Sequence, residues 1–210
     1  MSKVNHSVFD TRELDDLARG FGLSEKEVQL GISNTLNYFA QEVLDLSISK
    51  IGAELNLPES YIKGKLSVSA KSKPAKLEAV ISAESRHILL SRFDPIAQWK
   101  PGKTKSQVPA GVSVKVKPNG GRSHMRSAFM IPLKRGVTSG AGAKGLAYRP
   151  RKNEDYSFLS PSAKREVSKR GFAVLHGPSV HQVFTTFLDE LPPSAEEMFS
   201  YLLEQLEIMA

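Results

Sequence analysis

Between Val28 and Leu55 the chain carries an apolar stripe that commits it to one unusually long helix. Val28, Ile32, Leu36, Phe39, Val43, Leu46, Ile51 and Leu55 recur every three to five residues, and the positions between them are mostly Asn, Gln, Ser, Asp and Glu. Ser24 and Glu27 supply a capping-box signature in front of it. The spacing predicts an amphipathic helix from Ser24 to about Asn56. At 1.5 Å per residue this is roughly 50 Å, too long to hide in a compact small domain. Gly31 and Gly52 inside it mark close packing or a bend. Upstream, Thr11 to Arg19 reads as a short helix, with Leu14 and Leu17 on one face and Gly20 as its stop. Downstream, Pro58 opens a short helical turn through Lys65.

The period then changes from helical to alternating. Leu66-Ser67-Val68-Ser69 alternates, Leu77, Ala79, Ile81 and Ala83 alternate with their neighbours, and Gly111 to Lys117 places Val inside and Ser or Lys outside. Pro118-Asn119-Gly120-Gly121 is a turn, most simply of a hairpin, and Arg126 to Leu133 is the returning strand, with Pro132 demoting its end. From Lys134 the pattern loosens among Gly136, Gly140, Gly142 and Gly145, so 134–168 reads as a long surface excursion. Phe172 to Leu175 is a short buried strand, and His176-Gly177-Pro178-Ser179 breaks it. Val180, Val183, Phe184, Phe187 and Leu188 share a helical face. Leu191-Pro192-Pro193 ends that helix, and Ser194 to Met209 is a last amphipathic helix. The expected fold is α+β: a small antiparallel sheet packed against a long N-terminal helix and C-terminal helices, with a long Gly-rich loop. At 210 residues this reads as a single domain over 1–210. Its parts are a helical start (1–65), basic strands (66–133), the loop (134–170) and a closing strand with helices (171–210).

Charge is segregated along these parts. Residues 1–62 hold 5 basic and 10 acidic side chains, residues 63–175 hold 24 and 6, and residues 176–210 hold none and 6. A basic middle between acidic ends points to an anionic partner such as nucleic acid, to an acidic protein surface, to self-association of basic on acidic parts, or to a plain solvated surface.

Catalytic and metal chemistry finds little support. There are no cysteines, which removes disulfides, thiolate metal sites and a cysteine nucleophile. Gly102-Lys103-Thr104 matches the end of a phosphate-binding loop. Ala97 stands where its first glycine belongs, however, and the Pro109-containing segment that follows does not read as the required helix. His6, His87, His124, His176 and His181 have no carboxylates at metal-ligand spacing, and packing or surface roles account for them. Ser47-Ile48-Ser49-Lys50 resembles a serine–lysine pair only in spelling and reads as decoration of a polar helix face. No apolar run reaches the ~18 residues of a membrane span, and Met1 to Asp10 lacks the pattern of a secretory leader. The expectation is a non-enzyme without cofactor, metal or membrane.

Three stretches carry a family resemblance. The first is Leu90-Ser91-Arg92-Phe93-Asp94-Pro95-Ile96, followed by Gly111 to Val116. The second is Gly120 to Met130, with Gly120, Gly121, Ala128 and Phe129. The third is Val174 to Phe184, with Gly177, Pro178, Ser179, Gln182, Val183 and Phe184. Together they resemble the phage and prophage minor tail protein Z family, whose namesake is the lambda tail completion protein, over roughly residues 25–190. The chain departs from it at Met125-Arg126-Ser127, where the family often has Ile-Pro-Gly, and in the enlarged region after Leu133.

The resemblance implies a virion structural protein, made in the host cytoplasm, that acts late in assembly at the head-proximal end of the tail. Its implied partners are further copies of itself in a ring, commonly a hexamer, the tail tube and tail terminator proteins, and the head–tail connector. In such a ring, Lys115, Lys117, Arg122, Arg126, Lys134 and Arg135 would face genomic DNA or an acidic partner. Apart from the resemblance, Gly177-Pro178 reads as a strand-to-helix turn, and Val183 and Phe184 read as core. Trp99, the one tryptophan, lies in a Lys/Pro-rich segment and either anchors a partner or folds back on its own sheet. The other reading of the whole chain is a basic nucleic-acid-binding protein, although it offers no recognisable reading helix.

Overall fold

The structure is a computed structural model that describes residue 16 and residues 18–102, 107–133 and 144–210. In chain order its elements are α1 (Glu25–Glu54), α2 (Glu59–Lys63), β1 (Leu66–Ala70), β2 (Val80–Ala83), β3 (Ile96–Pro101), β4 (Gln107–Val114), β5 (Ser123–Met125), β6 (Ala128–Pro132), β7 (Lys144–Tyr148), α3 (Pro161–Arg170), β8 (Ala173–Val174), α4 (Val180–Thr185) and α5 (Ala195–Met209). The fold is α+β, as the change of period predicts. Its strands form three small antiparallel sheets, ordered β1-β2, β3-β4-β5 and β6-β7-β8. The chain divides into two compact units. One is drawn from Met1–Ile51, Glu59–Ser85 and Val180–Ala210, the other from Gly52–Pro58 and Arg86–Ser179. Because the chain leaves the first unit and later re-enters it, a linear search for composition shifts does not see the division.

In the first unit the long helix forms within two residues of its expected ends. Glu27 accepts from both the amide and the hydroxyl of Ser24, each at 2.7 Å, which satisfies an N-terminal amide that the helix itself cannot. The buried face differs from the expected stripe in its second half. Leu46 is 45% exposed, while Ser47 and Ile48 are buried. Positions 43, 47 and 51 lie on one helical row, so residue 47 turns inward whatever its chemistry. The Ser47 hydroxyl is satisfied by donating to the Val43 carbonyl, so it is not polar-face decoration. Val28 and Ile32 of α1 meet Leu202 and Leu206 of α5 in one core cluster, with Leu36, Leu77 and Met209 packed around it. Gly31 allows this crossing, since a Cβ there would sit 2.9 Å from Leu206 and 3.0 Å from Met209. A full capping box, Ser194 with Glu197, starts α5.

The second unit is built around Val112, Val114, Ala128, Leu146, Tyr148, Leu159 and Leu175. β4 starts earlier and ends earlier than the expected strand over 111–117. It stops at Val114 because the next backbone groups bond elsewhere. The Lys115 amide donates to Phe93 O (2.9 Å), while the Lys115 and Val116 carbonyls accept from the side chain and amide of Asn56 (2.9 and 2.8 Å). The Pro118–Gly121 turn is a single β-turn closed by Gly120 N donating to Lys117 O (3.1 Å). Pro118 sits second, Gly120 sits fourth, and neither Asn119 nor Gly120 has positive φ, as type I geometry requires. The strand expected over 126–133 forms as β6 but does not return onto β4; the earlier β5 does. β5 pairs with β4 and β6 pairs with β7, so the chain changes sheets at Arg126-Ser127.

The expected excursion over 134–170 is corrected in its described part. Residues 144–148 form β7, buried between β6 and β8, and residues 161–170 form α3. The signals for α3 are local. Ser160 caps the amide of Ala163, Pro161 takes a first-turn position, and Gly171 closes the helix at φ 75°. Gly136, Gly140 and Gly142 lie outside the described residues, as does most of the Thr11–Arg19 segment.

One glycine is fixed by sterics. Gly111 has φ 113°, at a bulge where pairing shifts from Gln98↔Gly111 to Trp99↔Pro109. A Cβ there would lie 2.3 Å from the Met125 carbonyl and 2.7 Å from Arg126 Cα, both backbone atoms of the neighbouring strand. Gly111→Ala is therefore expected to destabilise the protein by at least ~2 kcal/mol, read as a lower midpoint in urea unfolding. An unchanged midpoint would show that the bulge relaxes freely.

Candidate functional site

Two of the three resembling stretches meet inside the second unit. Leu90 N donates to Leu175 O (3.0 Å) and Gly177 N donates to Ile88 O (2.7 Å), with an isolated bridge between Leu89 and His176. Phe93 is fully buried, and its ring lies so close to Gly177 that a Cβ there would be 2.8 Å away. The glycine of the Gly177-Pro178-Ser179 break is thus a seat for an aromatic ring. After Phe93 the chain turns through Asp94, at φ 48°. Arg122 holds that turn by donating to the Asp94 carbonyl (2.8 Å) and pairing with its carboxylate. Pro178 is half-buried and Ser179 buried. Val180 opens α4 in the first unit, where Phe184 is buried against Phe187, Val183 is half-buried and Gln182 faces outward.

The second stretch also serves architecture. Ala128 is buried and pairs with Tyr148 across β6 and β7. Phe129 meets Phe172 edge-on at 6.1 Å, and the Arg149 guanidinium lies over Phe129 at 5.3 Å. Gly121 is exposed and Gly120 closes the β-turn. The turn after Tyr148 is pinned by Glu154, whose carboxylate accepts from the Ser127 hydroxyl (2.6 Å) and the Arg151 amide (2.8 Å). These bonds, the Ser127 one foremost, hold the Glu154 carboxyl below the usual carboxylate range, and the Tyr148 hydroxyl adds to them. Burial, followed by the Glu154 charge, pushes the Tyr148 phenol up.

The basic residues singled out from the sequence are not equivalent. Arg122 is tied to Asp94, and Lys117 pairs with Glu54 at 3.2 Å. Lys115 is half-buried, with both of its backbone groups engaged, and Arg126 is exposed at the crossover between sheets. Lys134 and Arg135 lie outside the described residues.

Trp99 lies on β3, the edge strand of its sheet, which is exposed along its whole length; the indole itself is 57% exposed. It presents outward rather than folding back. Ala97 to Pro101, just ahead of Gly102-Lys103-Thr104, is extended strand, and Lys103 and Thr104 lie outside the described residues.

The first unit carries a trough that the sequence reading did not single out. Its floor is an apolar cleft of about 140 Å³ between Leu36, Phe39, Ala40 and Phe184, walled by Leu191-Pro192-Pro193. It is continuous through Phe39 and Val43 with a wider rim bearing Tyr38, Leu46 and Tyr201. Tyr38 and Tyr201 stack at 4.3 Å. Four carboxylates stand on the rim: Glu42, Glu190, Glu197 and Glu204. Glu190 pairs with Lys50 at 2.7 Å, while Glu42, Glu197 and Glu204 face no cation within ion-pair distance among the described residues. The Tyr38 hydroxyl donates to Glu42 (2.7 Å), which pushes the phenol up. The sequence signal was present, in six acids without a base after residue 175 and a Pro-Pro break between two apolar helices. It became legible only once α1 supplied the opposite wall.

Among the described residues the histidines do not assemble into a site, and His6 lies outside them. His87, His124 and His176 are exposed, and His181 lies in α4 with its amide bonded to Glu84 O. Among the described residues no group of three His, Asp or Glu is placed to hold a metal, and no helix is long and apolar enough to cross a membrane. No family model, curated protein or solved structure matches the chain.

Because the folded-state pKa of Glu154 lies below its unfolded value, near 4.5, its contribution to stability is complete above that value and is lost as pH falls through the folded pKa. Glu154→Gln is expected to flatten the acid side of the stability profile below about pH 4.5 and to lower stability at neutral pH. Urea midpoints between neutral and acid pH check this, and an unaltered acid slope in the variant would refute it.

Proposed function

We propose that the chain is a structural subunit of a tailed phage or prophage particle, of the minor tail protein Z kind. In this reading it completes the tail at its head-proximal end and joins tail to head, and no bond is made or broken. The observation that carries the reading is the packing of Leu90–Phe93 onto Leu175–Gly177. These stretches are remote in sequence, they bear the resemblance, and they form one knot built from an aromatic ring seated on a glycine. Residues spent on holding backbone segments together suit an assembly scaffold better than a reaction centre, where titratable groups would converge in a cleft.

Two further features support the reading. The described surface carries an exposed edge strand bearing Trp99 and an acidic apolar trough, and both are surfaces of the kind that subunits use on one another. The basic excess of residues 63–175 suits a ring that meets an acidic neighbour or passing DNA, with Arg126 the exposed candidate for phosphate contact. The partners in this reading are further copies in a ring, commonly six, the tail tube and terminator proteins, and the connector; the place of work is the virion neck.

The same basic excess is the observation that favours the second reading, a nucleic-acid-binding protein without enzymatic activity. Two of its charges, Lys117 and Arg122, are already engaged with Glu54 and Asp94.

The decisive experiment is genetic and structural. Deleting the gene is expected to leave heads and tails that fail to join productively, and epitope-labelled copies are expected in purified particles at the neck by electron microscopy. Absence of labelled copies from mature particles would overturn the proposal. In gel shifts the free protein is expected to bind DNA weakly, without sequence preference and with steep loss in salt; tight sequence-dependent binding near physiological salt would favour the second reading.

A further inference from the structure

The assembly reading leaves open which surfaces meet, and two features name them. The trough on the first unit has an apolar floor of about 140 Å³, close to the volume that holds one benzene-sized ring. It shares Phe39, Val43 and Leu191 with the wider rim, so a larger indole has room to extend over that rim. Above the floor, Glu42, Glu197 and Glu204 face no cation among the described residues. The occupant should therefore be an aromatic side chain flanked by lysines.

The chain contains a segment of that description with its aromatic ring largely exposed. Ile96 to Val108 carries Trp99 with Lys100, Lys103 and Lys105 and no acid. Trp99 is the chain's one tryptophan and is 57% exposed, and its strand β3 is exposed on both faces at a sheet edge. Pairing of Ile96 to Pro101 with β4 holds Trp99 on a strand rather than on a loose loop.

We infer that the acidic trough lined by Phe39, Val43, Leu191, Pro192 and Tyr201 receives Trp99 and its flanking lysine from a second copy of this chain. The charge complementarity selects this occupant. In sequence, residues 176–210 hold six acids and no Lys or Arg, while residues 96–108 hold three lysines and no acid, Lys100 among them beside Trp99. Trough and ribbon are different surfaces, so the contact is head-to-tail and propagates from copy to copy, closing into a ring or continuing as a filament. The inference rests on the assembly reading and gives it an interface.

Complementation tests it on the full chain. Two variants are made, Trp99→Ala, which keeps the trough, and the double variant Glu42→Lys with Glu204→Lys, which keeps the ribbon. Both carbon stems are exposed, so circular dichroism melts should match the parent. In low salt the parent is expected to associate with concentration by light scattering, with its tryptophan emission moving to the blue. Each variant alone is expected to lose association by about 30-fold or more. Mixing the two is expected to restore a single contact, since the intact ribbon of one meets the intact trough of the other. The emission, which then comes from the double variant alone, shifts to the blue on adding the non-fluorescent Trp99→Ala copies, and 1 M salt weakens it.

A parent that stays monomeric at its solubility limit overturns the inference. So does association that neither variant weakens, or a mixture whose emission does not move. These outcomes are separable from the fate of the proposed function. Labelled copies in particles with no emission shift would sink the interface alone, whereas a shift with no labelled copies in particles would sink the virion reading alone.

Discussion

The contact on which the second unit depends is an aromatic ring resting on a backbone that has no side chain to keep it away. Phe93 is fully buried because Gly177 lets the ring reach the main chain, and hydrogen bonds from Leu90 to Leu175 and from Gly177 to Ile88 hold the two segments in register. About eighty residues separate these partners, so closing them is an entropic cost that buried apolar area must offset. The Arg122 clamp on Asp94 then keeps the left-handed turn after Phe93 from relaxing. Any side chain at position 177 would have to displace the ring, which is why a position that looks like an ordinary strand-to-helix turn is a packing constraint as well.

The long helix, the terminal helix and the type of the strands were legible in the sequence because each is set by a local period. A stripe at 3.6 residues specifies α1 whatever it packs against, and Ser24 with Glu27 marks its start. What the stripe did not reveal was its second half, where the buried row carries Ser47 and leaves Leu46 in solvent. A hydroxyl that bonds back to its own helix is tolerated inside, so hydrophobicity misassigned the face. β7 was missed for another reason. Lys144-Gly145-Leu146-Ala147-Tyr148 is too short to show alternation, and it is a strand only because β6 and β8 flank it. The start and stop of α3, Ser160-Pro161 and Gly171, could have been read from sequence, and the glycines just before hid them. The packing of Leu90–Phe93 on Leu175–Gly177 was not legible either, since Gly177-Pro178 reads as a plain turn until Phe93 is set on it, and the trough required two walls that lie about 150 residues apart in the chain.

Charge has a different role from packing in this protein. The cores are closed by apolar contacts and a few engaged polar groups, and the described ion pairs are mostly exposed, where each contributes about 0–1 kcal/mol. Segregating basic from acidic residues along the chain therefore does little for the stability of a single copy. It sets long-range fields that steer encounters and reject like-charged faces. Acids gathered around an apolar trough, and a lysine beside an exposed tryptophan, are the fields that the proposed association between copies would use.

That arrangement also limits what kind of assembly can form. A self-complementary patch would give closed two-fold pairs, with one surface meeting itself across an axis. Here the acidic trough and the basic ribbon are separate surfaces, and each repels its own kind, so a two-fold pairing of trough on trough or ribbon on ribbon is disfavoured. Head-to-tail contact is the geometry left to the proposed association, and whether it closes depends on the rotation from one copy to the next. The Gly111 bulge holds β4 beside β3, the strand that bears Trp99, through one backbone conformation that a side chain could adopt only by displacing the Met125 carbonyl.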